Sequence, residues 1–480
     1  MEELFLFSFL ISLIGGLLLF KLDGKRADYF MLITVILATI LNLVGAYEFY
    51  SAGMPSIHKV FVSSASFGEV YGLLIDPMSV CVGLVVITAG LLFMLYAKDY
   101  MSPDNKEHPV YEGKGRFYAW MVLFIGATLA FIYSSSVLQL LIFFELMSLA
   151  CWGVVSYYRT NKAKRAAYKA LIVTNFGAMI GLYTAVGIGL TRLHDLSLFA
   201  YSGLDNHLKL IVFITVMIAA FTKSAQFPLY SWLPDAMEAP TPASAFLHGA
   251  AMVEMGVFLL ARFIQFMHPI PREGFYVMAA LIIATQIICI LMYPLQRDAK
   301  RLLAYSTIAE SGLMYVALAT AVLGLQGGLQ ASIFQLFNHA YIKGLAFLTA
   351  GTFSYALGTL DMNKIRGLIK APTVGYSWTF ALLGLAGVPP FGVFFGKLGI
   401  LSNAQAMSES ALVIAMFILL LIDSAVFLMV SLKRIHGMVF SEGDVKVEIT
   451  PLMKAVMIIL LVLAIIAPYI AYPLVIKVRW

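Results

Sequence analysis

Fourteen mostly apolar runs of about 20 residues follow one another along the chain, each long enough to cross a bilayer as a helix. They cover roughly residues 3–20, 29–47, 77–97, 117–134, 137–156, 167–190, 210–228, 243–265, 275–295, 303–324, 328–357, 373–403, 411–432 and 452–473. With 61% hydrophobic and 12% charged residues and a mean hydropathy of +0.90, the chain cannot clothe a soluble domain in polar surface. The expected fold is an all-α polytopic membrane protein forming one helical unit. Three runs are longer than a bilayer needs, so tilt or breakage is expected, as at Pro389-Pro390.

The basic residues are unevenly placed. The termini and alternate loops hold seven: Lys59, Arg192, Lys209, Arg262, Arg272, Lys477 and Arg479. The other loops hold twenty-one, among them Lys21, the Arg159–Arg165 cluster, Arg297, Lys300, Arg301 and Lys433. The positive-inside rule puts the richer side in the cytoplasm of a prokaryotic cell and both termini outside. The net charge of +6 is thereby spent in short loops, and no nucleic-acid partner is expected. Met1-Glu2-Glu3 is an acidic start, opposite to a signal peptide's basic one, so the first helix is expected to be retained. Cys81, Cys151 and Cys289 lie far apart without metal-ligand spacing. With no Walker lysine, no GxGxxG after a strand and no CxxC, no cofactor or metal is expected in this chain.

Four lysines remain, and all lie in apolar runs: Lys169, Lys223, Lys343 and Lys397. The acids Glu145, Glu254, Glu310 and Asp423 join them, with His248 and His339. Each charge in a span costs about 2.5–3.5 kcal/mol even on lenient insertion scales, so ten such residues argue for transport. Position grades them. Lys169 lies near the end of its run, where a lysine snorkels. His339 and Lys343 share a helix face at i, i+4. Asp423 has no evident partner.

Two stretches combine a lysine with prolines that break a helix. Phe221 to Arg262 carries Lys223, then Pro228, Pro234, Glu238, Pro240 and Pro242, then His248 and Glu254. Leu385 to Leu401 carries Pro389-Pro390, then Lys397. The breaks fall in spans seven and twelve. Five helices apart is an odd number, which predicts inverted five-helix repeats, spans 4–8 and 9–13, with Glu145 and Glu310 in corresponding places. The expected organisation is residues 1–115 (spans 1–3), 116–265 (first repeat), 274–437 (second repeat) and 450–480 (span 14).

The stretch Trp232-Leu-Pro-Asp-Ala-Met-Glu-Ala-Pro-Thr-Pro-Ala-Ser-Ala-Phe-Leu-His248 closely resembles the signature of the antiporter-like membrane subunits. That family includes the large membrane-arm subunits of respiratory complex I, the Mrp-type cation/proton antiporters and subunits of membrane-bound hydrogenases and related ferredoxin-linked complexes. Leu74-Ile-Asp-Pro-Met-Ser79, Phe144-Glu145-Leu, Ala166-Ala-Tyr-Lys169-Ala, Asn338-His339-Ala-Tyr-Ile-Lys343 and Gly387-Val-Pro-Pro-Phe-Gly392 through Lys397 extend the match to residues 70–440. The resemblance implies fourteen helices, inverted repeats and broken helices seven and twelve. It implies a coupling pair Glu145–Lys223, a modulating Lys169, a hydrated axis with His248, His339 and Lys343, and an exit at Lys397. Two departures stand out. Many relatives have Lys or Thr where this chain has Glu254. The chain also stops after span fourteen, which looks more like Mrp and hydrogenase subunits than the largest complex I subunit.

The expected function is proton, or sodium/proton, translocation through Glu145, Lys169, Lys223, His248, Glu254, Glu310, His339, Lys343 and Lys397. An ion pair at about 4 Å with an effective dielectric near 20 is worth about 4 kcal/mol, enough to decide whether a buried lysine keeps its proton. The preferred setting is a membrane-bound oxidoreductase complex of hydrogenase or complex I-like type, with a redox module reached through neighbouring membrane subunits, other antiporter-like subunits among them. The alternative is the large subunit of an Mrp-type antiporter. A non-conducting assembly scaffold is the reading from a different class. An organic-solute carrier would instead gather hydrogen-bonding groups into one midplane pocket.

Overall fold

The computed structural model describes residues 1–408 and 410–480. The helices run α1 (Glu2–Leu19), α2 (Gly24–Ser51), α3 (Pro77–Tyr100), α4 (Lys114–Ile132), α5 (Val137–Val155), α6 (Asn161–Ile188), α7 (Asn206–Lys223), α8 (Trp232–Asp235), α9 (Thr241–Gly249), α10 (Met252–Met267), α11 (Arg272–Met292), α12 (Ala299–Val322), α13 (Gln326–Leu357), α14 (Pro372–Ala386), α15 (Gly392–Leu401), α16 (Ala411–Ile435) and α17 (Pro451–Val475). The fold is helical as expected, with one departure among the described residues. Between α2 and α3, β1 (Ile57–Ser64) and β2 (Gly68–Ile75) pair antiparallel, Ile57 opposite Ile75. Val, Ile, Phe and Tyr are dense there, and Gly68 supplies a positive φ of 63° just past the turn. Each strand has eight residues, too few and too polar for a span, so apolar-run length alone reads the segment as loop.

Twelve helical segments are long and apolar enough to cross a membrane by length and composition, α9 and α10 counting as one. The other two expected spans are the chemically marked ones. Helix α13 has 32 residues, about 48 Å, but carries Gln326, Gln330, Gln335, Asn338, His339 and Lys343. Helices α14 and α15 are each too short alone. An 18-residue stretch of the α9–α10 segment and another of α12 are wholly buried, at the centre of the bundle. Helices α1, α2, α6, α11, α16 and α17 form the periphery and expose Ile33, Ile172, Leu291 and Met429 outward, as lipid-facing or partner-facing surface does.

The breaks fall where the ionisable residues lie. Helix α7 stops at Lys223 itself, several residues before Pro228, and Ala225 has a positive φ of 51°. Trp232 Nε1 donates to the Thr222 carbonyl at the end of α7 at 2.9 Å. A second break separates α9 from α10 at Ala250 and Ala251, between His248 and Glu254, and the sequence did not announce it. Helix α14 ends on Gly387 at φ 87°, before Val388-Pro389-Pro390.

Candidate functional site

The break between α14 and α15 holds an ion pair. Lys397, on α15, is only 6% exposed, and its side chain turns back toward the break instead of reaching for the surface. Its Cδ lies 3.2 Å from where a Cβ on Gly387 would stand. Nζ is 2.9 Å from Glu310 Oε1 of α12 and donates to Ser424 Oγ of α16 at 3.0 Å. Gln335 Nε2 of α13 donates to the other Glu310 oxygen at 2.7 Å. A lysine and a carboxylate separated by 87 residues thus meet inside the bundle.

One turn along α13 from Gln335 comes His339, and one turn further Lys343. His339 Nδ1 is 3.1 Å from Glu254 Oε1 at the start of α10. Lys343 donates to Ser306 Oγ of α12 at 2.6 Å. His248 ends α9 with its ring stacked on Phe347, centroids 4.6 Å apart. Among the described residues neither His248 nitrogen has a hydrogen-bond partner, nor do His339 Nε2, Glu254 Oε2 or either amide atom of Asn338. Buried polar atoms are nearly always paired with protein or water, so this cluster has the chemistry of a hydrated passage.

The first break is built differently. Lys223 is fully buried, yet it donates to Phe144 O at 2.9 Å and Ser148 Oγ at 2.7 Å, with Nζ 3.8 Å from the Phe144 ring centroid. Glu145, the partner expected from the resemblance, makes no ion pair with it among the described residues. Its half-buried carboxylate instead faces the Asn175 side chain of α6, whose amide, with its oxygen and nitrogen exchanged, donates to Oε2 at 2.7 Å. Lys169, also on α6, stands at the edge of the bundle. It pairs with Asp235 Oδ2 at 2.8 Å and donates to Ser231 O at 3.1 Å.

Lys169 and Asp235 share the rim of a cavity of about 590 Å³, lined also by Glu107, His108, Lys162, Glu238, Asp298 and Lys300. Lys300 donates to Met237 O and Ala239 O, both at 2.7 Å, holding the irregular chain ahead of α9. At the cavity wall Tyr100 Oη lies 3.1 Å from both Thr241 Oγ1 and Ser354 Oγ. His248 follows Thr241 by two helical turns.

Several of these groups were beyond the sequence reading. Gln335 stands at i−4 from His339 and could have been found by extending that spacing. Asn175, Ser148, Ser306 and Ser424 are ordinary polar residues until tertiary structure brings them to a charge. Arg262 needs correction: it was counted among the outward loop charges, but it lies fully buried in α10. Its Nη2 donates to Asp76 Oδ1 at 2.8 Å, and Asp76 also accepts from Ser79 N at 2.8 Å to cap α3. That explains the acid in Leu74-Ile-Asp-Pro-Met-Ser79 as a structural clamp. Asp423, without a partner in sequence, accepts from Tyr293 Oη at 2.8 Å.

Fold and site together define a polytopic helical membrane protein with a string of buried ionisable residues along broken helices. Residues 134–423 match the family model described as NADH:quinone oxidoreductase/Mrp antiporter, TM, and residues 61–118 match complex I chain 5 N-terminus. The chain belongs to this NADH:quinone oxidoreductase/Mrp antiporter membrane family. It is 31% identical over 426 residues to a protein named Na(+)/H(+) antiporter subunit A1 from Staphylococcus haemolyticus (strain JCSC1435), covering 82% of this chain and 52% of that one. The protein of the same name from Staphylococcus aureus (strain JH9) is 35% identical over 369 residues, covering 72% and 44%. The fold matches a chain in the structure of the Mrp complex from Dietzia sp. DQ12-45-1b with a TM-score of 0.83 and 24% identity, over 99% of this chain and 51% of that one. The chain thus spans about half the length of the curated relatives it matches.

Proposed function

We propose that this chain is an ion-translocating membrane subunit of an Mrp-type sodium/proton antiporter complex, assembled with other integral membrane subunits. The relatives' names favour this setting over the oxidoreductase preferred from sequence. The family model's description also covers NADH:quinone oxidoreductases, so coupling to electron transfer through a redox module stands as the second reading. The observation that carries the proposal is the buried series Lys223, Glu254–His339, Lys343 and Glu310–Lys397, which a non-conducting scaffold has no need to keep inside a membrane bundle.

In this mechanism the two breaks belong to inverted repeats over residues 116–265 and 274–437, flanked by 1–115 and 450–480, with both termini outside. Protons enter from the cytoplasmic cavity past Tyr100, Thr241 and Ser354 to His248. Closing of Glu145 on Lys223 would stabilise the lysine's proton by about 4 kcal/mol, and opening would release it toward the centre. Lys169 tunes that step from the rim through Asp235. Water bridges the gaps between His248, His339 and Lys343. Glu310 and Lys397 form the corresponding pair of the second half.

The test uses the native complex in sealed vesicles with Glu145→Gln and Lys223→Met. An imposed sodium gradient alone should drive opposite proton movement in the wild type, and both variants should lose it with the complex still assembled. Unchanged fluxes in both variants would favour the scaffold. Proton movement that requires an electron donor would favour the oxidoreductase reading.

A further inference from the structure

Asp423 is the intramembrane acid that the mechanism above leaves unused. It lies on the inward face of α16, 2% exposed, and accepts from the phenol of Tyr293 at 2.8 Å. The next residue, Ser424, accepts from Lys397 at 3.0 Å. Helix α16 therefore touches the lysine with one residue and holds a carboxylate on its neighbour.

The groups around Asp423 are few. Helix α11 and the turn after it contribute Cys289 and Tyr293, α12 Glu310, α13 Lys343 and α15 Lys397. Helix α14 packs on α16 too, but its one titratable side chain, Tyr376, is 49% exposed at the surface. Two carboxylates, Glu310 and Asp423, and a second lysine, Lys343, thus face Lys397. When Lys397 lies against Glu310, as here, that pair is neutral and Asp423 has only a phenol donor. A buried carboxylate left so is costly in a low-dielectric interior. A proton on Asp423, or a lysine turned toward it, relieves that cost.

We propose that Asp423 is a second proton acceptor for Lys397. The ammonium leaves Glu310, pivots on Ser424 and gives its proton to the Asp423 carboxylate. One N–H bond breaks and one O–H bond forms, leaving a neutral amine and a carboxylic acid with the cluster's net charge unchanged. Tyr293 is a positioning residue that donates to the Asp423 carboxyl and fixes its orientation. The inference rests on Lys397 carrying a proton, as proposed above.

The experiment uses the native complex in sealed vesicles, with Asp423→Asn, Asp423→Glu, Tyr293→Phe and, as reference, Lys397→Met. Sodium-driven proton flux in Asp423→Asn should fall by about a hundredfold, the scale of a lost positioned acid–base group, and Asp423→Glu should restore much of it. Infrared difference spectra should show a carboxylic-acid carbonyl band that titrates with the flux. It should vanish in Asp423→Asn and shift in Tyr293→Phe. Wild-type flux in Asp423→Asn while Lys397→Met is inactive would overturn this inference alone. Wild-type flux in Lys397→Met would overturn the reading beneath it. Where Asp423→Asn fails to assemble, the Tyr293→Phe spectrum decides: an unshifted band counts against the proposal and a shifted one supports it.

Discussion

Lys223 and Lys397 stand at two breaks in one bundle, and they are held in opposite ways. Lys397 touches a carboxylate, Glu310, at 2.9 Å, with a serine on its other side. Lys223 touches a hydroxyl, a carbonyl and an aromatic face, while Glu145 has turned to Asn175. One half-site is closed and the other open. In the mechanism proposed above, these two arrangements would be the two ends of a switch. The difference lies in which side chains surround each lysine, and both lysines are buried.

Substitutions that remove charge should expose this asymmetry, and the largest effect belongs to the closed half. Lys397→Met strands Glu310 in the bundle and should cost about 3–5 kcal/mol in stability, read as a lowered thermal midpoint of the solubilised complex. Lys223→Met leaves only neutral partners behind, and losing one cation–π contact and two hydrogen bonds should cost about 1–3 kcal/mol. Equal losses would mean that the halves are energetically alike.

Gly256→Ala probes the floor of the open half. A Cβ there meets Ser224 Oγ and Ala220 O, and the Tyr315 hydroxyl oxygen would stand 3.0 Å away. Ser224 follows Lys223 and donates to Val253 O at 2.6 Å, so displacing it disturbs the end of α7. About 1–3 kcal/mol of destabilisation is expected, with sodium-driven proton flux reduced in proportion to assembled complex or more. A wild-type midpoint would show that α7 and α10 have room to separate.

The smallest effect should come from the rim. Lys169 and Asp235 are 38% and 41% exposed, and exposed pairs are worth about 0–1 kcal/mol. Lys169→Met should barely move the thermal midpoint and should alter transport only modestly. A large loss of flux would place Lys169 nearer to the switch than its geometry does.

The helices were legible because span length and apolar density are local properties. The breaks at Lys223 and Pro389 were legible because proline is a local signal, although α7 ends before its prolines. The break at Ala250-Ala251 has no such signal, since two alanines between His248 and Glu254 are good helix formers. The ionisable residues were visible as charges in apolar sequence, but not their contacts. Glu310–Lys397 and Asp423–Tyr293 span 87 and 130 residues, and nothing near either partner names the other. The same blindness hid Asp76–Arg262 and let Arg262 be counted with the loops.

The most direct test of the open and closed half-sites is a pair of double-mutant cycles in the solubilised complex. One removes Glu310 and Lys397, singly and together, and the other removes Glu145 and Lys223. With the halves as they stand here, the first pair should show a coupling of about 2 kcal/mol or more and the second well under about 1 kcal/mol. Equal couplings, or the larger one at Glu145–Lys223, would contradict the assignment of one closed and one open half.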